Sequence, residues 1–154
     1  MSNMNNISQQ YLKKTEQLLY LYPKLKLNIK QSKKEIALLK KGLLQPPERS
    51  KSVVFYAQSA SKVCRDDVRE RYILGREATL HKTLFDVIRI EEALQLTNGH
   101  RGHPMLALKY FKQEGYLPDE DVMERLNISR STYYRWRIEI LSIISQMLFD
   151  VSEK

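Results

Sequence analysis

The stretch LNISRSTYYRWR, residues 126–137, is the most informative part of this chain because it combines a turn signal, a helix start and a basic helix face. Asn127 stands where one helix ends and the backbone needs a positive φ, a conformation that Gly adopts most easily and Asn next. Ser129 is a good N-cap for a following helix, because its hydroxyl can accept a hydrogen bond from an N–H two or three residues on. The stretch therefore predicts a short helix, a tight turn and a second helix.

The second predicted helix has two different sides. Tyr133, Trp136 and Ile140 recur at spacings of three and four residues, which is typical of a buried side. On the short helix before the turn, Val122, Met123 and Leu126 form the inward side, and Ile128 fills the corner. The opposite side of the second helix is polar and basic, with Arg130, Ser131, Tyr134, Arg135 and, near its edge, Arg137.

Such a polar side has the chemistry needed to bind DNA. A B-DNA major groove is about 12 Å wide and admits one helix, whose first residues reach the base edges. Arginine can donate two hydrogen bonds to one guanine, while Ser and Tyr hydroxyls and the helix N-terminus can bind phosphate. The alternative is an ordinary corner between packed helices, with its outward arginines in water.

The rest of the chain also reads as helix, with five glycines, five prolines and no long alternating apolar segment. We expect a helix over residues 5–21, a break at Tyr22-Pro23, and a second helix that stops at Gly42. A long helix should open at Arg65 or Asp66 and end in the loop of residues 97–104. The last three helices are expected at 105–114, 119–126 and 130–148.

These boundaries predict an all-α chain with three parts. Residues 1–43 form a basic N-terminal helical hairpin, and residues 44–62, which contain Pro-Pro, form a linker. Residues 63–154 form a helical DNA-binding domain, with a long central helix and a helix-turn-helix at 119–148.

Charge is unevenly distributed along the chain. Residues 1–62 carry 12 Lys or Arg against 3 Asp or Glu, a balance of +9, whereas residues 63–154 carry 14 against 15. The net charge is therefore +8. A basic half beside a neutral half favours a polyanionic partner such as nucleic acid, although a solvated lysine-rich helix is the alternative.

The stretch YLPDEDVMERLNISRSTYYRWRIEIL, residues 116–141, resembles the fourth-region helix-turn-helix of bacterial sigma factors, including the preceding LALKYF helix. Together with TEQLLYLYPKLKLNI, residues 15–29, and the long middle helix, it resembles the phage late-transcription activators of the RinA and ArpU type. The similarity spans residues 14–149, and its specific part is residues 105–148. One departure concerns Met123, where the motif commonly has Ala, so the two helices could pack at a different distance.

The resemblance implies a function and a set of roles. Members of the family, from phages and prophages of Gram-positive bacteria, bind DNA and switch on the late genes for packaging and structural proteins. It implies that host RNA polymerase is a partner. The residues that would face DNA are Ser129, Arg130, Ser131, Tyr134 and Arg135. Those that would hold the motif together are Met123, Leu126, Ile128, Tyr133 and Trp136.

Other function classes find little support in the sequence. His100 and His103 lie three residues apart, but no cysteine pair or nearby carboxylate completes a zinc site, and we expect no metal and no cofactor. There is no phosphate-binding glycine loop and no nucleophile with a base, so we expect no enzyme. The single cysteine, Cys64, and the absence of a signal peptide or an 18-residue apolar run predict a cytoplasmic, nucleoid-associated protein without membrane contact.

Two other functions stay open. The first is a small terminase subunit, which also binds phage DNA through a helix-turn-helix but assembles into a ring. The second is a protein-binding adaptor whose helix-turn-helix does not touch DNA. The last helix is unusually apolar between Ile138 and Phe149, which favours a homo-oligomer, with a dimer expected for a symmetric DNA site.

Overall fold

The computed structural model describes residues 9–47, 63–112 and 117–149 of the 154-residue chain. In these ranges the chain forms five α-helices and no strand, which confirms the expected all-α class. The helices are α1 (Gln9–Lys40), α2 (Val63–Leu96), α3 (His103–Tyr110), α4 (Asp119–Leu126) and α5 (Arg130–Phe149). The chain divides into two compact units, residues 1–26 with 86–154, and residues 27–85.

Helix α1 continues through Pro23, so the expected break there, and with it the helical hairpin in residues 1–43, is wrong. A proline inside a helix loses one N–H hydrogen bond and crowds the preceding turn, at a cost of about 3 kcal/mol. Tertiary contacts of the turn before Pro23 offset this cost. Leu19 is fully buried, and the Tyr22 hydroxyl donates to Glu91 Oε1 at 2.7 Å.

In the unit of residues 27–85, α1 ends in a glycine turn, as the sequence predicts. Gly42 has φ +75°, and the N–H of Leu43 donates to the carbonyl oxygen of Leu38 at 3.0 Å, which is the Schellman arrangement. From α2, Arg69 Nε donates to the carbonyl oxygen of Leu39 at 3.1 Å. Carbonyl oxygens at the end of α1 therefore accept hydrogen bonds both from the following backbone and from a side chain of α2.

The lysines of α1 are exposed, as a basic surface requires. Lys40 forms an ion pair of 2.6 Å with Glu77. The other exposed lysines of this helix are Lys13, Lys14, Lys24, Lys26, Lys30, Lys33 and Lys34. The described part of the expected linker, residues 44–47, is not helical, and its larger part, residues 48–62, lies outside the described residues.

The unit of residues 1–26 and 86–154 has a hydrophobic core that combines all of its helices. The core consists of Leu19, Ile90, Ala93, Met105, Leu106, Tyr110, Val122, Tyr133, Ile140, Leu141, Ile144 and Leu148. Arg89 closes the far end of α5, since its guanidinium donates to the carbonyl oxygen of Leu148 at 2.7 Å.

The helix bounds in this region follow the predictions closely. Helix α4 has the predicted bounds, and α5 begins at Arg130 as expected and ends one residue later than predicted. Helix α2 begins two residues before Arg65. Helix α3 ends at Tyr110, before the predicted end at 114; the chain leaves the helix at Phe111, whose ring packs 5.2 Å from the ring of Tyr22. Residues 113–116 lie outside the described residues.

Candidate nucleic-acid interface

The turn between α4 and α5 is fixed by Asn127. This residue has φ 53° and ψ 50°, and it is the only non-glycine residue with positive φ in the part of the chain that the structure describes. Its N–H donates to the carbonyl oxygen of Glu124 at 3.1 Å, and the N–H of Ile128 donates to that of Met123 at 3.1 Å. This is a Schellman ending with Asn in the place of Gly, and it confirms the predicted sharp turn.

Ser129 caps the start of α5, as predicted. The N–H of Thr132 donates to Ser129 Oγ at 3.3 Å, and the N–H of Tyr133 donates to the Ser129 carbonyl oxygen at 2.9 Å. The Ser129 hydroxyl in turn donates to Thr132 Oγ1 at 2.8 Å. The N–H of Thr132, which has no partner within the helix, is thereby satisfied, and the N–H of Tyr133 makes the first hydrogen bond of the helix itself.

The outer side of α5 carries the residues that the sequence assigns to DNA, with one exception. Arg130, Ser131 and Arg135 are exposed, and Tyr134 is half-buried between them. The guanidinium carbon of Arg130 lies 5.9 Å from the centre of the Tyr134 ring, within the range of a cation–π contact. The aromatic ring lies beside the guanidinium of an arginine that is otherwise exposed.

The inner side of α4 and α5 packs on the core. Tyr133 is fully buried, and so is Val122 on α4. The other residues predicted to hold the motif together are partly buried and pack against the same core: Met123, Leu126, Ile128 and Trp136. The side chain that fills the centre of this contact is therefore Val122, one position before Met123.

The exception is Arg137, which points into the unit. Its Nη2 lies 2.7 Å from Glu16 Oε1 on α1, and its Nε donates to the same oxygen at 3.0 Å. The Tyr110 hydroxyl of α3 donates to this oxygen as well, at 2.6 Å. Because this guanidinium is already engaged with a carboxylate, we leave Arg137 out of the DNA-contacting set proposed below.

A second cluster joins α3, α4 and α5 beside the first. Lys109 is buried, and its Nζ donates to Asp119 Oδ1 at 2.9 Å and to the Tyr133 hydroxyl at 3.0 Å. Tyr133 completes the triangle by donating to Asp119 Oδ1 at 2.6 Å. Lys109 Nζ also lies 3.8 Å from Glu16 Oε1, which brings the two clusters together.

The electrostatics of these clusters follow from burial and hydrogen bonding. Burial by itself would raise the pKa of Asp119, but the hydrogen bonds from Tyr133 and Lys109 outweigh it and hold that pKa below its ordinary value. Burial raises the pKa of the Tyr133 hydroxyl, and its hydrogen bond to Asp119 raises it further. The Asp119 carboxylate therefore stays ionised and the Tyr133 phenol stays neutral beside the first turn of α5.

The loop between α2 and α3 spans residues 97–102, because α3 begins at His103 and not at the predicted 105, and it packs directly against α5. A Cβ atom added to Gly102 would lie 2.8 Å from Ile140 Cδ1 and 3.0 Å from Trp136 Cβ, so any larger residue there would have to displace its neighbours. His100 joins the same contact: its Nδ1 accepts from the N–H of Gly102 at 2.9 Å, and its Nε2 lies 2.7 Å from Glu139 Oε2. Since Nδ1 accepts, Nε2 carries the proton and donates to the carboxylate.

The sequence did not predict the clusters around Glu16 and Lys109. One signal for Lys109 was available, because it stands three and four residues after Leu106 and Met105 and so shares their buried side. Asp119 stands in the first turn of α4, where an acid is favourable in any helix, so its position gives no sign of a partner. Glu16 lies 94 residues from Tyr110 and 121 from Arg137, and no local pattern connects such distant positions.

Comparison with known proteins found no matching family model, no matching curated protein and no matching solved structure. In the described ranges, no three His, Cys, Asp or Glu residues are grouped as metal ligands. No helix among the described residues combines the length and the apolar character needed to cross a membrane.

Proposed function

We propose that this protein binds double-stranded DNA by placing the outer side of α5 in the major groove, with contacts from Arg130, Ser131, Tyr134 and Arg135. The observation that carries the proposal is the exposure of Arg130 and Arg135 on the first two turns of a helix whose other side is anchored by the fully buried Tyr133. Reading bases requires both a projecting polar surface and a rigid support for it.

The two arginines are suited to read separate base pairs. Each guanidinium can donate two hydrogen bonds to guanine O6 and N7, a contact that discriminates against other bases by about 1–3 kcal/mol. They stand five residues apart, a rise of about 7.5 Å along the helix, which corresponds to about two base-pair steps. The Tyr134 ring beside Arg130 reduces the conformational freedom that this arginine loses on binding.

Charge supports the proposal and also constrains the geometry. The exposed lysines of α1 and the net charge of +8 favour binding to phosphate independently of sequence. Exposed acids Glu120 and Asp121 occupy the first turn of α4, where they would repel phosphate. The start of α4 should therefore lie away from the DNA backbone, with the start of α5 directed towards the bases.

The biological role that we propose is regulation of transcription, as an activator of late phage genes acting together with host RNA polymerase in the bacterial cytoplasm. Its support is the resemblance of residues 105–148 to the sigma-factor motif and to the RinA and ArpU type of activator. A homodimer on a symmetric site is the expected assembly, because one such helix reads only a few base pairs.

The test is selection of bound sequences from a random duplex library, followed by affinity measurements on the selected duplex over a series of salt concentrations. We expect a defined motif to be enriched. Arg135→Ala should lose about 1–3 kcal/mol on that motif while keeping its affinity for unrelated DNA.

The matched control is Arg71→Ala, which removes the same charge from an exposed arginine on α2. It should change binding to the motif and to unrelated DNA by similar, small amounts. If no motif is enriched and affinity only falls with salt, the protein binds DNA by charge alone and base reading by α5 is excluded.

A further inference from the structure

Ile138 is an exposed apolar side chain on the otherwise polar outer side of α5. Its side chain is 48% exposed. With 3.6 residues per turn, position 138 falls about 40° from Tyr134 and about 60° from Arg135 around the helix axis, between the two. Ile138 therefore belongs to the same surface as the residues that we propose to face DNA.

Beyond this residue the outer surface of α5 is interrupted. The next positions on that side of the helix are Leu141, Ser142 and Ser145, all three of which are buried in the unit, and exposure resumes only at Gln146. Ile138 is thus the last exposed side chain before α5 enters the core. A duplex that approaches Arg130 and Arg135 along this surface meets Ile138 at its far end.

The chemistry of isoleucine selects one partner in the major groove. Its side chain has no hydrogen-bonding group, so contact with a base amino or carbonyl group would desolvate that group without replacing its bond to water. The only methyl group that the bases of DNA present in this groove, and their most prominent apolar group, is the C5-methyl of thymine. We infer that Ile138 contacts a thymine methyl group and so determines specificity at that base pair.

This inference rests on the proposed DNA-binding function and adds a position to it. Ile138 stands three residues after Arg135, a rise of about 4.5 Å, which is between one and two base-pair steps. The thymine should therefore lie within about two base pairs of the guanine that Arg135 reads.

The first experiment uses the wild-type protein and the duplex selected from the random library. Each thymine of the motif is replaced in turn by deoxyuridine, which pairs in the same way but lacks the methyl group. We expect one replacement, near the guanine assigned to Arg135, to weaken binding about fourfold, the factor expected for losing one buried methyl group. This scan needs no protein variant, so it does not depend on how a variant folds.

The second experiment is a double-mutant cycle, in which the Ile138→Ala change in the protein is combined with the thymine-to-uracil change in the DNA. This variant should bind the thymine duplex about fourfold more weakly than wild type and should show no further loss on the uracil duplex. The matched control is Met147→Ala, which truncates a 37% exposed side chain on the opposite side of α5. It should leave the ratio of thymine to uracil affinity at the wild-type value.

The outcomes separate this inference from the proposed function. A motif that depends on Arg135, but in which no thymine methyl affects binding, or affects wild type and Ile138→Ala equally, overturns the role of Ile138 and leaves DNA reading intact. A selection that enriches no motif overturns both. A methyl effect that disappears only in Ile138→Ala supports the contact.

Discussion

Glu16 of α1 and Arg137 of α5 form an ion pair of 2.7 Å although 121 residues of sequence separate them. The same carboxylate oxygen accepts a hydrogen bond from Tyr110 of α3 at 2.6 Å. One carboxylate therefore connects three helices at the base of the surface that we propose to read DNA. Ion pairs of this kind are better suited to fixing geometry than to adding stability over an apolar contact, but removing one partner is costly.

Replacing Glu16 by Ala should destabilise the protein strongly, because Arg137 and Tyr110 lose their acceptor while both stay largely covered. A fully buried pair loses about 3–5 kcal/mol on such a change; here water reaches both charged side chains in part, so we expect about 2–3 kcal/mol. Urea unfolding measures this value. Gln17→Ala, at the exposed neighbouring position, should cost less than about 0.5 kcal/mol, and equal losses for the two variants would exclude a structural role for Glu16.

Gly102→Ala should destabilise the contact between the loop of residues 97–102 and α5. The added methyl would lie 2.8 Å from Ile140 Cδ1 and 3.0 Å from Trp136 Cβ. The end of the Ile140 side chain can turn away, but Trp136 Cβ moves only with α5, so we expect a cost of about 1–3 kcal/mol. Gly99→Ala is the matched control because its methyl would meet nothing within 4 Å. Thermal unfolding of the two variants should show a clear loss for the first and little change for the second; the reverse order would contradict the packing described for Gly102.

The turn at Asn127 predicts that replacement by Ala lowers the stability of the protein and that replacement by Gly does not. Asn127→Ala places a Cβ in the left-handed region at φ 53°, which should cost about 1 kcal/mol in the free energy of unfolding. Asn127→Gly removes that steric penalty and should leave stability close to wild type. Denaturant titrations of both variants test this prediction, and it is wrong if Ala proves as stable as Gly.

Asp119 should make stability depend on pH in the acidic range. Its pKa is lower in the folded protein than in the unfolded chain, so its contribution is complete above the ordinary pKa of about 4 and is lost as pH falls through the lower, folded value. The stability difference between wild type and Asp119→Asn should therefore be largest near neutral pH and shrink below about pH 4. Stability curves at a series of pH values measure it.

Asp121→Asn provides the comparison for that experiment, because Asp121 is an exposed acid in the same first turn of α4. It reports the effect of a negative charge at a helix start, without the hydrogen bonds to Lys109 and Tyr133. The same pH dependence in both variants would mean that those hydrogen bonds do not stabilise the Asp119 carboxylate.

The parts of the fold that the sequence predicted depend on neighbouring residues. Asn127 and Ser129 determine the end of α4 and the start of α5 through contacts within a few positions, and both boundaries agree with the structure. Gly42 ends α1 for the same reason. Helix ends that depend on such local hydrogen bonds can be predicted from a single sequence, because the atoms that interact are close along the chain.

The features that the sequence did not predict depend on distant contacts. Pro23 breaks a helix only if nothing offsets the lost hydrogen bond, and here the burial of Leu19 and the bond from Tyr22 to Glu91 do so. Arg137 was placed at the edge of the DNA-facing side, and its direction is decided by Glu16, far away in sequence. Helical spacing defines a side of a helix but not the partner that an edge residue chooses.

Whether α5 reads bases depends above all on a single contact, between Arg135 and a guanine in the major groove. Each guanine of the selected duplex is replaced in turn by 7-deazaguanine, which pairs normally but lacks the N7 acceptor, and binding is measured for wild type and Arg135→Ala. We predict that one replacement weakens wild-type binding and has no additional effect on Arg135→Ala, since the arginine that used N7 is gone. If every replacement affects the two proteins equally, Arg135 does not read a guanine and the proposed orientation of α5 is wrong.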